Sequence, residues 1–170
     1  MRHSSIKKLT VAAILMGMTI IMCSFSIPVP GGHMYLNDII IVTAAILLDP
    51  FYAFMVGGIG AFLGDVFFYP TPMFVSLAVH GLQAIVISLF SKKRKPWLSI
   101  VGVVIGCIIT IVGYTLGRAY VYATPALAVL KLPYQILQNV AGSLAGVLLT
   151  WSCGIVKVYD KLIGGDSYTY

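Results

Sequence analysis

The sequence predicts an all-α integral membrane protein of six transmembrane helices, with both termini on the cytoplasmic side. Three observations carry that expectation. Of 170 residues, 59% are hydrophobic and only 9% charged, whereas a soluble domain is about a quarter charged. The apolar residues fall into runs long enough to cross about 30 Å of hydrocarbon, punctuated by proline, glycine and lysine. The net charge of +6 is placed unevenly, in clusters that an even number of crossings brings to one side.

The segments follow in order as one transmembrane domain. Residues 8–27 form the first crossing, longer than the apolar core of a signal peptide and without a clean cleavage site. Pro28, Pro30, Gly31 and Gly32 break it. The apolar region 34–68 is too long for one ordinary span, and Asp49-Pro50 divides it into crossings over 35–48 and 51–68. Pro70 and Pro72 mark the next turn, followed by crossings over 73–90 and 97–117 on either side of Lys92-Lys93-Arg94-Lys95-Pro96. Residues 118–132 are expected as an external connection, and the last crossing runs over 133–156 with Pro133 in its first turn.

Six crossings place Asp49-Pro50, the 92–95 cluster and both termini together, so that nine of the eleven basic residues lie inside and Arg118 and Lys131 outside. A multi-pass protein of the cell membrane follows. The basic cluster is a turn between apolar segments, so no nucleic-acid partner is expected. Cys23, Cys107 and Cys153 have no metal-ligand spacing, and no metal site is expected. Gly102, Gly106, Thr110, Gly113 and Gly117 share one helix face, as do Gly57, Gly60 and Gly64, and such stripes let helices approach closely.

Polar residues within these segments need partners. Gln135, Asn139, Gly142 and Gly146 line one face of the last helix, with Gln138 at its edge. Amides facing lipid are costly, so they serve either as glue between helices or as the wall of a hydrated pocket. Ser76, His80 and Gln83 share a face of the fourth helix at a depth similar to Asn139, which puts His80 and Asn139 in one expected layer. His80 alternatively bonds a backbone carbonyl. Asp65 either pairs with Arg118 or meets a ligand amine; Asn37 and Asp38 read as a helix cap; Tyr35 and Tyr114 are candidate stacking surfaces. The expected pocket is external, mostly apolar and fitted to a small, flat, largely uncharged heterocycle. No phosphate-binding loop faces it. The 28–37 connection, short and glycine-bearing, is a candidate lid.

Met34-Tyr-Leu-Asn-Asp-Ile-Ile-Ile, Asp49-Pro-Phe-Tyr-Ala, Gly57-Gly-Ile-Gly-Ala-Phe-Leu-Gly-Asp65 and Pro133-Tyr-Gln-Ile-Leu-Gln-Asn139 together resemble the substrate-binding S component of energy-coupling factor (ECF) transporters. The resemblance covers about residues 9–156. It implies a six-helix vitamin-binding subunit that captures its ligand from outside and joins a transmembrane coupling protein (the T component) and two ATPases. ATP is then used by the partners, uptake proceeds by toppling of the S component in the bilayer, and this chain has no cofactor and is not an enzyme. Ala13 and Gly17 match the small-residue motif by which the family contacts the coupling protein, although its second position is commonly alanine. His80 stands before Gly81 where many relatives have lysine. In style the chain is closest to the hydroxymethylpyrimidine or pyridoxine type, with riboflavin, pantothenate and folate as alternatives. From the residues alone, an autonomous secondary transporter competes, though no inverted repeat supports it. A membrane enzyme would rest on His80 and Ser76 only.

Overall fold

The computed structural model describes residues 2–164 and is almost wholly helical. Residues 165–170, on which part of the expected cytoplasmic tail falls, lie outside the described residues.

Helix α1 runs over Arg2–Ser24 and ends earlier than expected, because Ser26–Val29 (β1) and Gly32–Tyr35 (β2) pair as an antiparallel hairpin. Gly31 and Gly32 turn it with φ of 81° and 149°, conformations that side chains other than glycine rarely take. Helix α2, Asp38–Leu47, follows. At ten residues it is only about 15 Å long. The expected crossing over 35–48 is therefore shortened at its outer end, where Tyr35 belongs to a strand. Nine of its ten residues are buried, so it runs inside the protein.

The Asp49-Pro50 turn forms as expected, with Pro50 in the first turn of α3 (Pro50–Phe54). A π-helical turn, Met55–Ile59, joins α3 to α4 (Gly60–Phe68), and the whole of 50–68 reads as one apolar span. Gly58 lies in that turn, where an added Cβ would stand 3.1 Å from the Cα of Gly81. The widened turn thus carries backbone against backbone. Helix α5 (Met73–Ser91) packs antiparallel on α6 (Pro96–Gly117): Gly102, Gly106, Gly113 and Gly117 meet Phe90, Ile87, Val79 and Val75 in turn. The predicted small-residue stripe is spent on that packing.

The connection expected over 118–132 is structured. Arg118–Tyr122 forms a second π-helical turn, and α7 already begins at Pro125 and extends to Trp151. Thr124 caps it, its hydroxyl accepting from the Leu127 amide at 3.4 Å, and Pro125 takes the first-turn position expected of Pro133. Pro133 instead sits inside the helix. Gly154, at φ 71°, ends the segment before the expected 156, and α8 (Ile155–Gly164) leaves at 57° to α7.

By length and composition, four helical segments are long and apolar enough to cross a membrane, and five if α7 and α8 are one bent span. The core gathers around α2, with Ile41, Val42, Ala44, Ala45 and Ile46 all at most 1% exposed. Large apolar side chains such as Ile14, Phe67, Leu82, Ile108 and Leu144 face outward, the inversion that a lipid solvent requires.

Candidate functional site

Beneath the hairpin lies a cavity of about 30 Å³, above the roughly 10–15 Å³ that a water molecule needs. The hairpin contributes His33 and Tyr35, and the turn after it Asn37. From α4 and α5 come Asp65, Ser76 and His80; from α6 and its π turn, Tyr114, Arg118 and Tyr122; from α7, Gln135 and Gln138. The π turn places Arg118 and Tyr122 four residues apart, with the guanidinium 5.3 Å from the ring centroid.

The polar groups form two chains. Tyr114 donates its hydroxyl to Ser76 Oγ at 2.6 Å, and Ser76 donates to Asp65 Oδ2. His80 Nδ1 lies 2.8 Å from Gln83 Oε1 and 3.8 Å from Asp38 Oδ1. Gln138 donates through Nε2 to Asp38 Oδ2 at 3.2 Å, and its Oε1 accepts from the Tyr35 amide at 3.2 Å. The Gln138 amide thus ties α7, α2 and the hairpin together. The His80 and Tyr114 rings meet edge to face, their centroids 5.3 Å apart. Since Gln83 Oε1 only accepts, His80 Nδ1 is the donor of that contact.

Two cations hold the hairpin down. Lys131, 2% exposed, donates to the His33 carbonyl at 2.7 Å, and Arg118 donates to the Gly31 carbonyl. The Asp65–Arg118 pair considered from the sequence does not form: Asp65 takes Ser76 and Arg118 takes the hairpin backbone. A Cβ on Gly31 would stand 3.1 Å from the Leu127 carbonyl oxygen, so glycine there sets how closely the hairpin sits on α7. Burial, with the Asp65 carboxylate second, raises the Tyr35 phenol above its ordinary range, which keeps it a neutral group.

Of the residues singled out in the sequence, His80, Gln135, Gln138, Asp65, Tyr35 and Tyr114 line the cavity. Gln83 and Asn139 are fully buried outside that lining. The link expected between His80 and Asn139 is carried by Gln138 through Asp38. Asn139 keeps both side-chain atoms without a hydrogen-bond partner, as do Asp38 Oδ1, Gln83 Nε2, Asn37 Oδ1, His33 Nδ1 and the Tyr122 hydroxyl. Unpaired buried polar atoms are costly; of those among the described residues, His33 Nδ1, Asn37 Oδ1 and the Tyr122 hydroxyl belong to the cavity lining, and Asp38 and Gln83 contact its residues Gln138 and His80. Asp38 was read from the sequence as a cap. Its signal was an acid immediately before Ile39-Ile-Ile, and neither Asn37 nor its neighbours supply a side-chain cap bond.

A larger cavity, about 170 Å³, opens at the opposite end beside Lys8, Asp49, Lys92, Arg94 and Asp160. Four of its charges pair with one another, Lys8 with Asp49 at 2.6 Å and Arg94 with Asp160 at 2.9 Å. Arg94 also donates to the carbonyls of Ile46 and Leu47, which end α2. The smaller cavity, with unmet groups on His33, Asn37 and Tyr122 against Ser91 in the larger, is the better candidate.

Ala13 is exposed on α1, and a Cβ added to Gly17 would meet nothing within 4 Å. This small-residue pair therefore lies on an open face.

Comparisons with known proteins agree with this architecture. The family model described as ECF-type riboflavin transporter, S component, matches residues 3–154. The chain is 30% identical to the thiamine precursor transporter HmpT of Lactococcus lactis subsp. cremoris (strain MG1363) over 155 residues, covering 88% of this chain and 89% of that protein. It is 35% identical over 123 residues to a protein of Pyrococcus woesei described as an uncharacterized protein in the gap 3′ region, covering 71% of this chain and 82% of that one.

Proposed function

This chain belongs to the S-component family of ECF transporters, a family of vitamin-binding transport subunits and not of enzymes, and on that footing we propose that it captures a small heterocyclic vitamin or precursor in the cavity under the hairpin. Hydroxymethylpyrimidine or pyridoxine is the favoured ligand. The observation that carries this reading is the concentration of unpartnered buried polar atoms around one cavity on the hairpin side. The name of the Lactococcus relative, a thiamine precursor transporter, supports a single-ring ligand. Riboflavin, the ligand in the family model's description, is the second reading, and its three fused rings would demand a much larger opening of the cavity.

Ligand contact in this reading comes from His80, Gln135, Gln138, Asp65, Tyr35 and Tyr114, with Gln83 and Asn139 becoming partners as the cavity widens. The β1–β2 hairpin acts as the cover. The chain crosses the cell membrane with its hairpin outside and the 92–95 cluster inside, and α2, shielded by its neighbours, completes the sixth passage. A T component docks on Ala13 and Gly17, and two ATPases supply the energy, so ATP is used by the partners.

Mass spectrometry of small molecules retained by the purified chain tests the reading. One heterocyclic vitamin or precursor, held at about one per chain, is the expected result. A chain that retains nothing and binds none of the candidate vitamins in calorimetry would sink it.

A further inference from the structure

The lining offers unpartnered donors as well as acceptors, the Tyr122 hydroxyl among them, but Asp65 is the one acidic side chain in it. Tyr114 donates to Ser76 and Ser76 to Asp65 Oδ2, so both hydroxyl protons of that chain point toward one carboxylate oxygen. The other oxygen of Asp65 has no hydrogen bond among the described residues, and Asp65 lines the cavity. His80 Nδ1 is engaged with Gln83 Oε1 at 2.8 Å, so that nitrogen is taken up within the protein. Asn37 Oδ1, a further acceptor in the lining, is buried without a partner. On the donor side, Arg118 is the lining's cation, and it is turned to the cover: it donates to the Gly31 carbonyl, lies over Tyr122, and would stand 2.9 Å from a Cβ on Gly32. Lys131 is engaged with the His33 carbonyl.

We infer that this site, if it is the capture site proposed above, selects a heterocycle that bears an exocyclic amine and no acidic group, with the free oxygen of Asp65 accepting the amine proton. A buried carboxylate oxygen discriminates by what it leaves unpaired. A ligand without the amine would leave a buried carboxylate oxygen unmet, and a carboxylate or phosphate on the ligand would face Asp65 across a dry gap. The Ser76–Tyr114 chain fixes the carboxylate's orientation, so Ser76 is a positioning residue and Asp65 the specificity-determining one.

The test is calorimetry on the detergent-purified full chain with four probes: hydroxymethylpyrimidine with its amine, the same ring with hydrogen replacing the amine, pyridoxine, and pantothenate. The amine-bearing ring is expected to bind at least about ten-fold more tightly than the other three, the difference a charge-assisted hydrogen bond supplies. Asp65→Asn should remove most of that advantage while changing the affinity of the deaminated ring by less than about three-fold. A purely structural role would weaken both rings alike. Ser76→Ala, which keeps the carboxylate, should retain the preference at reduced size. Equal binding of the aminated and deaminated rings by the unmutated chain, or tighter binding of pyridoxine, pantothenate or any other amine-free vitamin, overturns the inference while leaving vitamin capture intact. A chain that binds no vitamin at all removes the capture reading itself.

Discussion

At the scale of single residues, Gln138 has more consequences than its neighbours on α7. One amide holds the Asp38 carboxylate and the Tyr35 backbone at once, so Gln138→Leu unseats the hairpin and leaves Asp38 buried without that donor. We expect ligand affinity to fall by about a hundred-fold and the unfolding temperature to drop, the loss of a hydrogen bond to a buried charge being worth roughly 1.5–3 kcal/mol or more. Calorimetry and thermal melts of the variant check this. His80→Ala removes a polar ring from the cavity wall and the edge-to-face contact with Tyr114, and at least a ten-fold loss of affinity is expected. The sequence displayed His80, Gln138 and Asp65 because a polar side chain in an apolar run has to be explained. It concealed Asp38, whose place beside a turn offered a cheaper account. It also concealed His33 and Tyr69, which stand 5.3 Å apart by ring centroid from segments far apart in the chain.

At the scale of elements, the hairpin and α7 behave as one latch. Lys131 is fully buried and reaches a backbone carbonyl, so Lys131→Met keeps the packing volume of the stem and removes the bond. Faster amide exchange across Ser26–Tyr35 and faster ligand release are the expected outcomes, with folding of the helices preserved. Unchanged exchange in the hairpin would show that the bond does not restrain it. Gly142 marks another close contact: a Cβ there would lie 2.6 Å from the Asp38 Cβ. Gly142→Ala should force α2 away from α7 and destabilise the fold by about 1–3 kcal/mol, read as a lowered melting temperature. Helix boundaries set by proline were legible at Asp49-Pro50 and Pro96. The start of α7 was misplaced at Pro133, because Thr124-Pro125 carries the same signal eight residues earlier, and the short helix that Ala126–Leu130 could form was read as part of a connection and not as the first turns of α7. The hairpin had no strand signature beyond its glycines, since two four-residue strands are too short for a pattern.

At the scale of the whole molecule, its open face on α1 and the cavity under the hairpin are separate. Gly17 has free space around it, whereas the cavity draws its lining from the hairpin and from residues beyond Asn37. Gly17→Phe should therefore leave vitamin affinity within about two-fold and abolish uptake when the chain is combined with its partner subunits, measured as binding to the isolated chain against transport in vesicles. Loss of binding in that variant would contradict the separation. The overall class was readable from composition and spacing because lipid imposes a coarse rule on side chains. The number of crossings was less so: an interior helix shielded by its neighbours is free to be short, and hydropathy alone does not reveal shielding.

The ten-residue interior of α2 bears on how the molecule is made. A segment this brief offers the insertion machinery little to hold, so its flanking helices should settle in the bilayer first and draw it in afterwards as they close around it. Polar replacements at Val42 or Ala45 would then surface as failed production of the protein, while the few molecules that mature could still recognise their ligand normally.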